Sequence, residues 1–422
     1  MPGHKGVGTS LELYDITEIS GADSLFEADG IIKESEKNAG EIFGADTFYS
    51  TEGSSLSIRA MLYLVTLYAK QIGRKPKILA ARNAHKSFVS AAALIDFEVD
   101  WISGKESSYL SCRISKEDIK DYFERAKELP VAVYLTSPDY LGYISDIKGI
   151  YHECKRRGVL LLVDNAHGAY LKFLEPSAHP IDLGADICCD SAHKTLNALT
   201  GCAYLHLSRS APSFFKERVK DAMMLFASTS PSYLMLDSLD RLNPYLSSKY
   251  PAVLQTFVDK IGFLKQKLKA HGYSFADGEL LKITLNAKKY GYTGKEISAF
   301  LSEYGIECEF KDNDYLVLMP SPNNSSEDLE KLFSVLTSLN KKEEILSSPP
   351  SAHISKRALS IREALMSPSE DVAVDASLGR IASAITLGCP PAIPIAAPGE
   401  IIDKQAIEVF KYYGITSCAV VK

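Results

Sequence analysis

The chain holds one tryptophan, no C-x-x-C pair and no cluster of basic side chains in its 422 residues. Its eight cysteines, at 112, 154, 188, 189, 202, 308, 389 and 418, share no metal-ligand spacing with the nine histidines. That pattern excludes a zinc ribbon or a disulfide framework, and it predicts reduced, mostly buried thiols of a cytoplasmic protein. A formal net charge of −6 without a basic patch leaves no electrostatic footprint for nucleic acid or an anionic membrane. No stretch reaches the roughly 18 apolar residues of a membrane helix, and Met1-Pro2-Gly3-His4-Lys5-Gly6 lacks the apolar core of a signal peptide. Internal repeats and low-complexity tracts are also missing, which excludes solenoids. What remains, with 46% hydrophobic and 24% charged residues, is a soluble globular chain whose expected partner is a small molecule.

Short apolar runs alternate with amphipathic stretches between residues 47 and 210. Strands are expected over 77–81, 131–136, 159–164, 187–190 and 203–207, and helices over 56–70, 116–127 and 147–157. The strands are continuously apolar, as strands covered on both faces are, so the pattern predicts a mostly parallel α/β sheet with functional residues at the C-terminal strand ends. Beyond residue 213 a long helical stretch, 233–271 and broken near Pro251, precedes strands at 280–285 and 315–319 and a helix at 326–339. Ser347-Ser348-Pro349-Pro350-Ser351 reads as a linker. The expected division is an N-terminal segment 1–45, a large domain 46–212, a small α+β domain 213–345 and a C-terminal α+β domain 346–422.

Four motifs carry chemistry. Asp190-Ser191-Ala192-His193-Lys194-Thr195 places a lysine just past a buried strand, where desolvation favours the neutral amine that forms a Schiff base. In Asp164-Asn165-Ala166-His167-Gly168 an apolar strand runs into an acid, and an ionised carboxylate there requires a cationic partner such as a protonated pyridine nitrogen. Thr51-Glu52-Gly53-Ser54-Ser55 opens a helix with a glycine and two hydroxyls, the ingredients of a phosphate cradle, although a plain serine cap is the ordinary explanation. Arg82-Asn83-Ala84-His85-Lys86-Ser87 ends a strand with a histidine able to stack on an aromatic ring. Together these are the parts of a pyridoxal 5'-phosphate site.

The spacing from Asp164 to Lys194 is that of fold-type I pyridoxal phosphate enzymes. The sequence resembles the ornithine/lysine/arginine decarboxylase family in its short form, without the N-terminal receiver-like domain. The resemblance rests on Pro2-Gly3-His4-Lys5-Gly6, Asp15-Ile16-Thr17-Glu18, Phe43-Gly44-Ala45-Asp46, the Arg82–Ser87 run, Thr136-Ser137-Pro138-Asp139-Tyr140 with Gly142 and Ser145-Asp146-Ile147, Val163–Gly168, Ser191–Leu199 and the Pro390–Glu400 loop. It implies an aspartate aminotransferase-like large domain and a homodimer or higher homo-oligomer that decarboxylates arginine, lysine or ornithine. Residue by residue it implies Lys194 as Schiff-base lysine, Asp164 on the pyridine nitrogen and His85 stacked on the ring. Ser54, Ser55, Ser191 and His193 would surround the phosphate, with His167 a further cofactor contact and Lys194 or His193 the proton donor to Cα. Asp15, Glu18, Asp23 and Glu400 are the carboxylates offered for the substrate's distal cation. An aminotransferase or carbon–sulfur lyase would use the same core and an arginine for the α-carboxylate, for which Arg241 is the main candidate. Two departures stand out. Glu52 occupies a place where the family writes asparagine beside the phosphate, and Asn165 one where it writes glutamate, which would fit a catalytically weakened homologue. The chain also starts at the Pro-Gly-His-Lys motif.

Overall fold

The computed structural model describes residues 3–8, 10–104, 108–385 and 393–422, so Pro2, Cys389, Pro390, Pro391 and Ala392 lie outside the described residues. Seven strands form the main sheet: β1 Ala45–Ser50, β2 Lys77–Ala81, β3 Glu98–Ile102, β4 Ala132–Thr136, β5 Leu160–Asp164, β6 Ile187–Asp190 and β7 Ala203–Ser208. Their order is β1-β7-β6-β5-β4-β2-β3. Neighbours from β3 to β6 run parallel, whereas β7 is antiparallel to both β6 and β1 and is the only reversed strand.

Every residue of β5 and β6 is buried because alternate side chains enter two separate cores. Ile78, Ala80, Tyr134 and Leu162 pack against the helices Gly53–Gln71, Lys86–Ile95 and Ser213–Met224. Leu79, Val133, Leu135 and Leu161 pack against Lys116–Arg125 and Ile147–Lys155. The result is the doubly covered sheet that continuous hydrophobic runs imply. Because β2, β4, β5 and β6 point the same way, the motifs that follow them emerge along one edge.

The break expected near Pro251 falls at Lys249, between helices Tyr233–Ser248 and Tyr250–Ala270. Pro251 occupies the first turn of the second helix, where its missing N–H leaves no bond unmade. A second sheet follows: β8 Ile283–Asn286, β9 Phe310–Lys311 and β10 Tyr315–Leu318, in the antiparallel order β8-β10-β9. β8 starts later than its apolar run suggests, because the Glu279 carboxylate accepts from the Leu281 and Lys282 amides and turns the chain there. Two further strands, β11 Ser369–Ala373 and β12 Ser417–Val421, pair antiparallel beside the helix Lys404–Tyr412. This last unit is fastened to the main sheet by a fully buried ion pair, Arg82 Nη2 to Glu400 Oε2 at 3.0 Å, with the same nitrogen donating to Ile395 O at 2.9 Å. Among the described residues, no helix is long and apolar enough to cross a membrane.

Candidate active site

At the C-terminal edge of the main sheet lies a cavity of ≈ 510 Å³. It is lined by Ser54, Ser55, His85, Asp164, His167, Ser191, His193 and Lys194, so all eight residues singled out for the cofactor meet there. Lys194 sits on the one-turn helix Ala192–Thr195 directly after β6, and its Nζ lies 2.9 Å from His167 Nε2. Burial lowers the Lys194 pKa, partly offset by the negative charge of Glu309 and then Asp164. His167 is pushed well below the ordinary histidine value by burial and then by the positive charges of Lys282, Lys194, His85 and His193. Burial thus works against charge on both partners, and their contact offers a path for a proton between them.

Asp164 closes β5 and is 2% exposed. Its Oδ1 accepts from Ala166 N at 3.1 Å, with Cys189 Sγ 3.7 Å away, and its Oδ2 accepts from Tyr134 Oη at 3.2 Å. Among the described residues it has no ion-pair partner, so a cation arriving in the cavity would meet an uncompensated carboxylate. His85 caps the helix Lys86–Ile95: its Nδ1 accepts from Ser87 N at 3.2 Å, which fixes the ring. Burial lowers its pKa, leaving a flat neutral ring over the cavity. His193 lies 3.0 Å through Nδ1 from Cys202 O.

The serines are not the helix cap. Glu52 occupies that position, Gly53 takes φ +71°, and Ser54 and Ser55 fall in the first turn with their hydroxyls free to face the cavity. Ser191 Oγ donates to Ser54 Oγ at 2.9 Å and Ser87 Oγ to Ser55 Oγ at 2.8 Å, so the hydroxyls cluster where a helix start offers unpaired N–H groups. The carboxylate of Glu52 turns away and accepts from Ser228 N. Asn165 also faces out of the cavity, its Nδ2 donating to Asp190 Oδ1 at 2.7 Å. Neither departure from the family pattern places a charge in the cradle.

These groups fit pyridoxal 5'-phosphate. Asn83 Oδ1, Thr136 Oγ1 and His167 Nδ1 are buried polar atoms without a hydrogen-bond partner among the described residues, and all three residues line the same cavity as the hydroxyl cluster, the lone carboxylate and the lysine. A buried polar atom without a partner is costly, and a polar ligand would meet that need.

Within one chain, the carboxylates offered for a distal cation do not line this cavity. Asp15 Oδ1 accepts from Tyr233 N at 2.8 Å and Ser232 Oγ at 3.0 Å, capping the helix Tyr233–Ser248. Asp23 accepts from the amides of Ser24, Asp29, Gly30 and Ile32 at the start of the helix Ile31–Phe43. Glu18 is exposed, and Glu400 is the buried partner of Arg82. Arg241 is also remote: it is exposed, pairs with Asp237 at 2.6 Å and lines a different cavity, which removes the aminotransferase candidate for the α-carboxylate. What sequence reasoning missed comes mostly from loops and the small sheet. Tyr140 and Ile393 wall the cavity, and Tyr140 Oη donates to Glu309 Oε1 at 3.3 Å. No local pattern marks Glu309. Asn83 and Thr136 stand inside quoted motifs, where their strand-end positions were the available signal.

Two family models match, Orn/Lys/Arg decarboxylase, major domain, over residues 6–287 and Orn/Lys/Arg decarboxylase, C-terminal domain, over 340–419. The chain is 29% identical to an arginine decarboxylase of Halalkalibacterium halodurans, covering 96% of this chain and 88% of that one. It is also 29% identical to an arginine decarboxylase of Bacillus subtilis, covering 97% and 89%. In fold it is similar to the constitutive lysine decarboxylase of E. coli, with TM-score 0.78 and 18% identity over 100% of this chain and 79% of that one.

Proposed function

The chain belongs to the Orn/Lys/Arg decarboxylase family, enzymes that use pyridoxal 5'-phosphate, and from that premise we propose that it converts arginine to the corresponding amine and carbon dioxide. The observation that carries the reading is the meeting of Lys194, His167 and Asp164 in one cavity, with Lys194 Nζ 2.9 Å from His167 Nε2. The cofactor, when bound, supplies the electron sink for the carbon–carbon bond that breaks. Everything else falls to the chain. Ser54, Ser55 and Ser191 would hold the phosphate, His85 would stack on the ring, and Asp164 would keep a proton on the ring nitrogen. Lys194 Nζ is the covalent anchor. Lys194 and His193 are the candidates for returning a proton to Cα, and the contact with His167 supports Lys194 because it would give the amine a proton relay.

Glu309 is the carboxylate we assign to the substrate's distal cation. It stands behind the cavity wall, where Tyr140 Oη donates to its Oε1 at 3.3 Å, and its negative charge favours the protonated form of Lys194. Arginine is preferred over lysine and ornithine because the two curated relatives carry that substrate in their names. A second copy of the chain is the expected partner, supported by the apolar side chains Val7, Leu11, Tyr14, Ile19 and Ile31 that the N-terminal part exposes. Cys154, Cys188, Cys189, Cys202 and Cys418 are buried thiols outside any disulfide among the described residues, in keeping with a reducing cytoplasm. The test is incubation of the cofactor-loaded protein with arginine, lysine and ornithine. Expected are carbon dioxide and the matching amine without added keto acid, arginine fastest, and a Glu309→Gln variant with raised KM. Turnover that requires a keto acid and yields no amine overturns the reading.

A further inference from the structure

The small sheet grips the loop carrying Tyr140 by four consecutive carbonyls. Lys282 Nζ donates to Asp139 O at 3.0 Å and lies 3.3 Å from Tyr140 O, Thr284 Oγ1 donates to Leu141 O at 2.8 Å, and Glu279 N donates to Gly142 O at 2.7 Å. Two glycines permit the approach. Gly142 takes φ +99°, and a Cβ on Gly278 would stand 2.7 Å from Gly142 O.

At the centre of this grip is a lysine only 3% exposed, with no ion pair among the described residues. The nearby acids are occupied by other donors. The Asp139 carboxylate accepts from Ser111 Oγ and Tyr143 N, and that of Glu279 from Tyr170 Oη and from the Leu281 and Lys282 amides. A buried ammonium held by two carbonyls and the face of the Tyr140 ring, 5.8 Å from its centroid, without a carboxylate partner, is costly. Mechanical grip alone does not call for it, since Thr284 fastens the neighbouring carbonyl with a hydroxyl. The charge itself must serve something, and the nearest chemistry is across Tyr140, whose ring meets that of His167 edge-on at 5.1 Å.

We propose that Lys282 is a positioning residue for the Lys194–His167 pair: it seats Tyr140 as the cavity wall beside His167 and holds a second positive charge behind that histidine. The inference rests on the reading of Lys194 as the cofactor's anchor. The charged groups around the pair support it. After burial itself, Lys282 opposes protonation of His167 ahead of Lys194, His85 and His193. On Lys194 the opposite influence comes from Glu309, Asp164 and Cys189. Lys282 is in turn disfavoured by burial and by Lys194 and favoured by Glu279, Asp139 and Glu309. With Lys282 charged, protonation of both His167 and Lys194 is opposed.

The experiment compares apo-protein of the parent with Lys282→Gln, which keeps donors for the carbonyls, Lys282→Met and Lys282→Arg, each checked for folding by circular dichroism. Two readouts are taken across pH: the His167 ring titration by NMR, and the rate at which added pyridoxal phosphate condenses with Lys194, releasing one water, trapped by borohydride and located by peptide mapping. In the neutral variants His167 should titrate higher, and the capture profile should move to alkaline pH by about one unit, roughly a tenfold slower capture below the midpoint. Lys282→Arg should keep both profiles. Parental profiles in folded Gln or Met variants overturn the proposal. So does a neutral amine nitrogen at Lys282 of the parent near pH 7, read by ¹⁵N NMR, whether or not the variants fold. If the parent never captures the cofactor on Lys194, the functional reading fails, while the His167 titration still decides the role of Lys282.

Discussion

Asp164 and Asp190 end neighbouring strands, are 2% and 0% exposed, and live in opposite circumstances. Asp190 is saturated: His179 Nε2 lies at 3.0 Å, His206 Nε2 at 3.2 Å and Asn165 Nδ2 at 2.7 Å, with Thr47 Oγ1 behind His206 at 2.9 Å. Burial raises its pKa, but His179 and then His206 override it and hold the carboxyl well below its usual range. Asp164 receives one amide, one phenol and a distant thiol, and its open side faces the cavity. The same residue type at the same topological place is thus structural where its acceptor sites are filled and available where they are not. Burial alone does not separate the two.

The comparison can be broken at its structural end first. Asp190→Ala strips three donors of their acceptor and should cost about 3–5 kcal/mol of stability, measured by urea unfolding of the apo-protein. Asp164→Asn should barely move that curve, yet lower turnover by roughly 10²- to 10³-fold while Lys194 still captures pyridoxal phosphate. A variant that unfolds like the Asp190 one would erase the distinction.

A third buried carboxylate sharpens it through pH. Burial raises the Asp139 pKa from 3.8 to about 6, the hydrogen bonds from Ser111 and Tyr143 opposing only in part. Its folded-state pKa is the higher one, so the stability it contributes is full below the unfolded value of 3.8 and is lost as pH rises to about 6. Asp139→Asn should remove up to about 3 kcal/mol of that pH dependence between pH 4 and 6, read from unfolding midpoints at several pH values. The smallest effect is expected at Glu52. Its side chain is exposed and bonded to Ser228 N, so Glu52→Gln should change cofactor affinity by no more than about twofold in a fluorescence titration.

The interior of the main sheet was legible in the sequence, and its rim was not. β2 and β6 fall on the residues that continuous apolar runs mark, because strands covered on both faces leave no polar alternation to confuse with a helix. β1, Ala-Asp-Thr-Phe-Tyr-Ser, and β3, Glu-Val-Asp-Trp-Ile, went unmarked: both are edge strands whose half-exposed pattern mixes polar and apolar residues. The reversal of β7 has no local signature either, since it depends on which neighbours the strand finds. In the cavity the same rule holds. Lys194, Asp164 and His85 follow strands and carry their chemistry in short motifs. Glu309 and Lys282 arrive from a different sheet, about a hundred residues later in the chain, and only tertiary packing brings them near. Glu400 shows the same limit: nothing in its proline-rich loop marks Arg82, 318 positions earlier, as its partner.

The Arg82–Glu400 pair also sets a clock. The two residues are separated by 318 positions, so on a ribosome adding about 5–20 residues per second the guanidinium waits roughly 15–60 s for its carboxylate to be synthesised. Until then the guanidinium just past β2 lacks the carboxylate it is buried against. The large sheet can assemble early from its own strands, but its anchor to the C-terminal unit closes only when the last tenth of the polypeptide has emerged and docked.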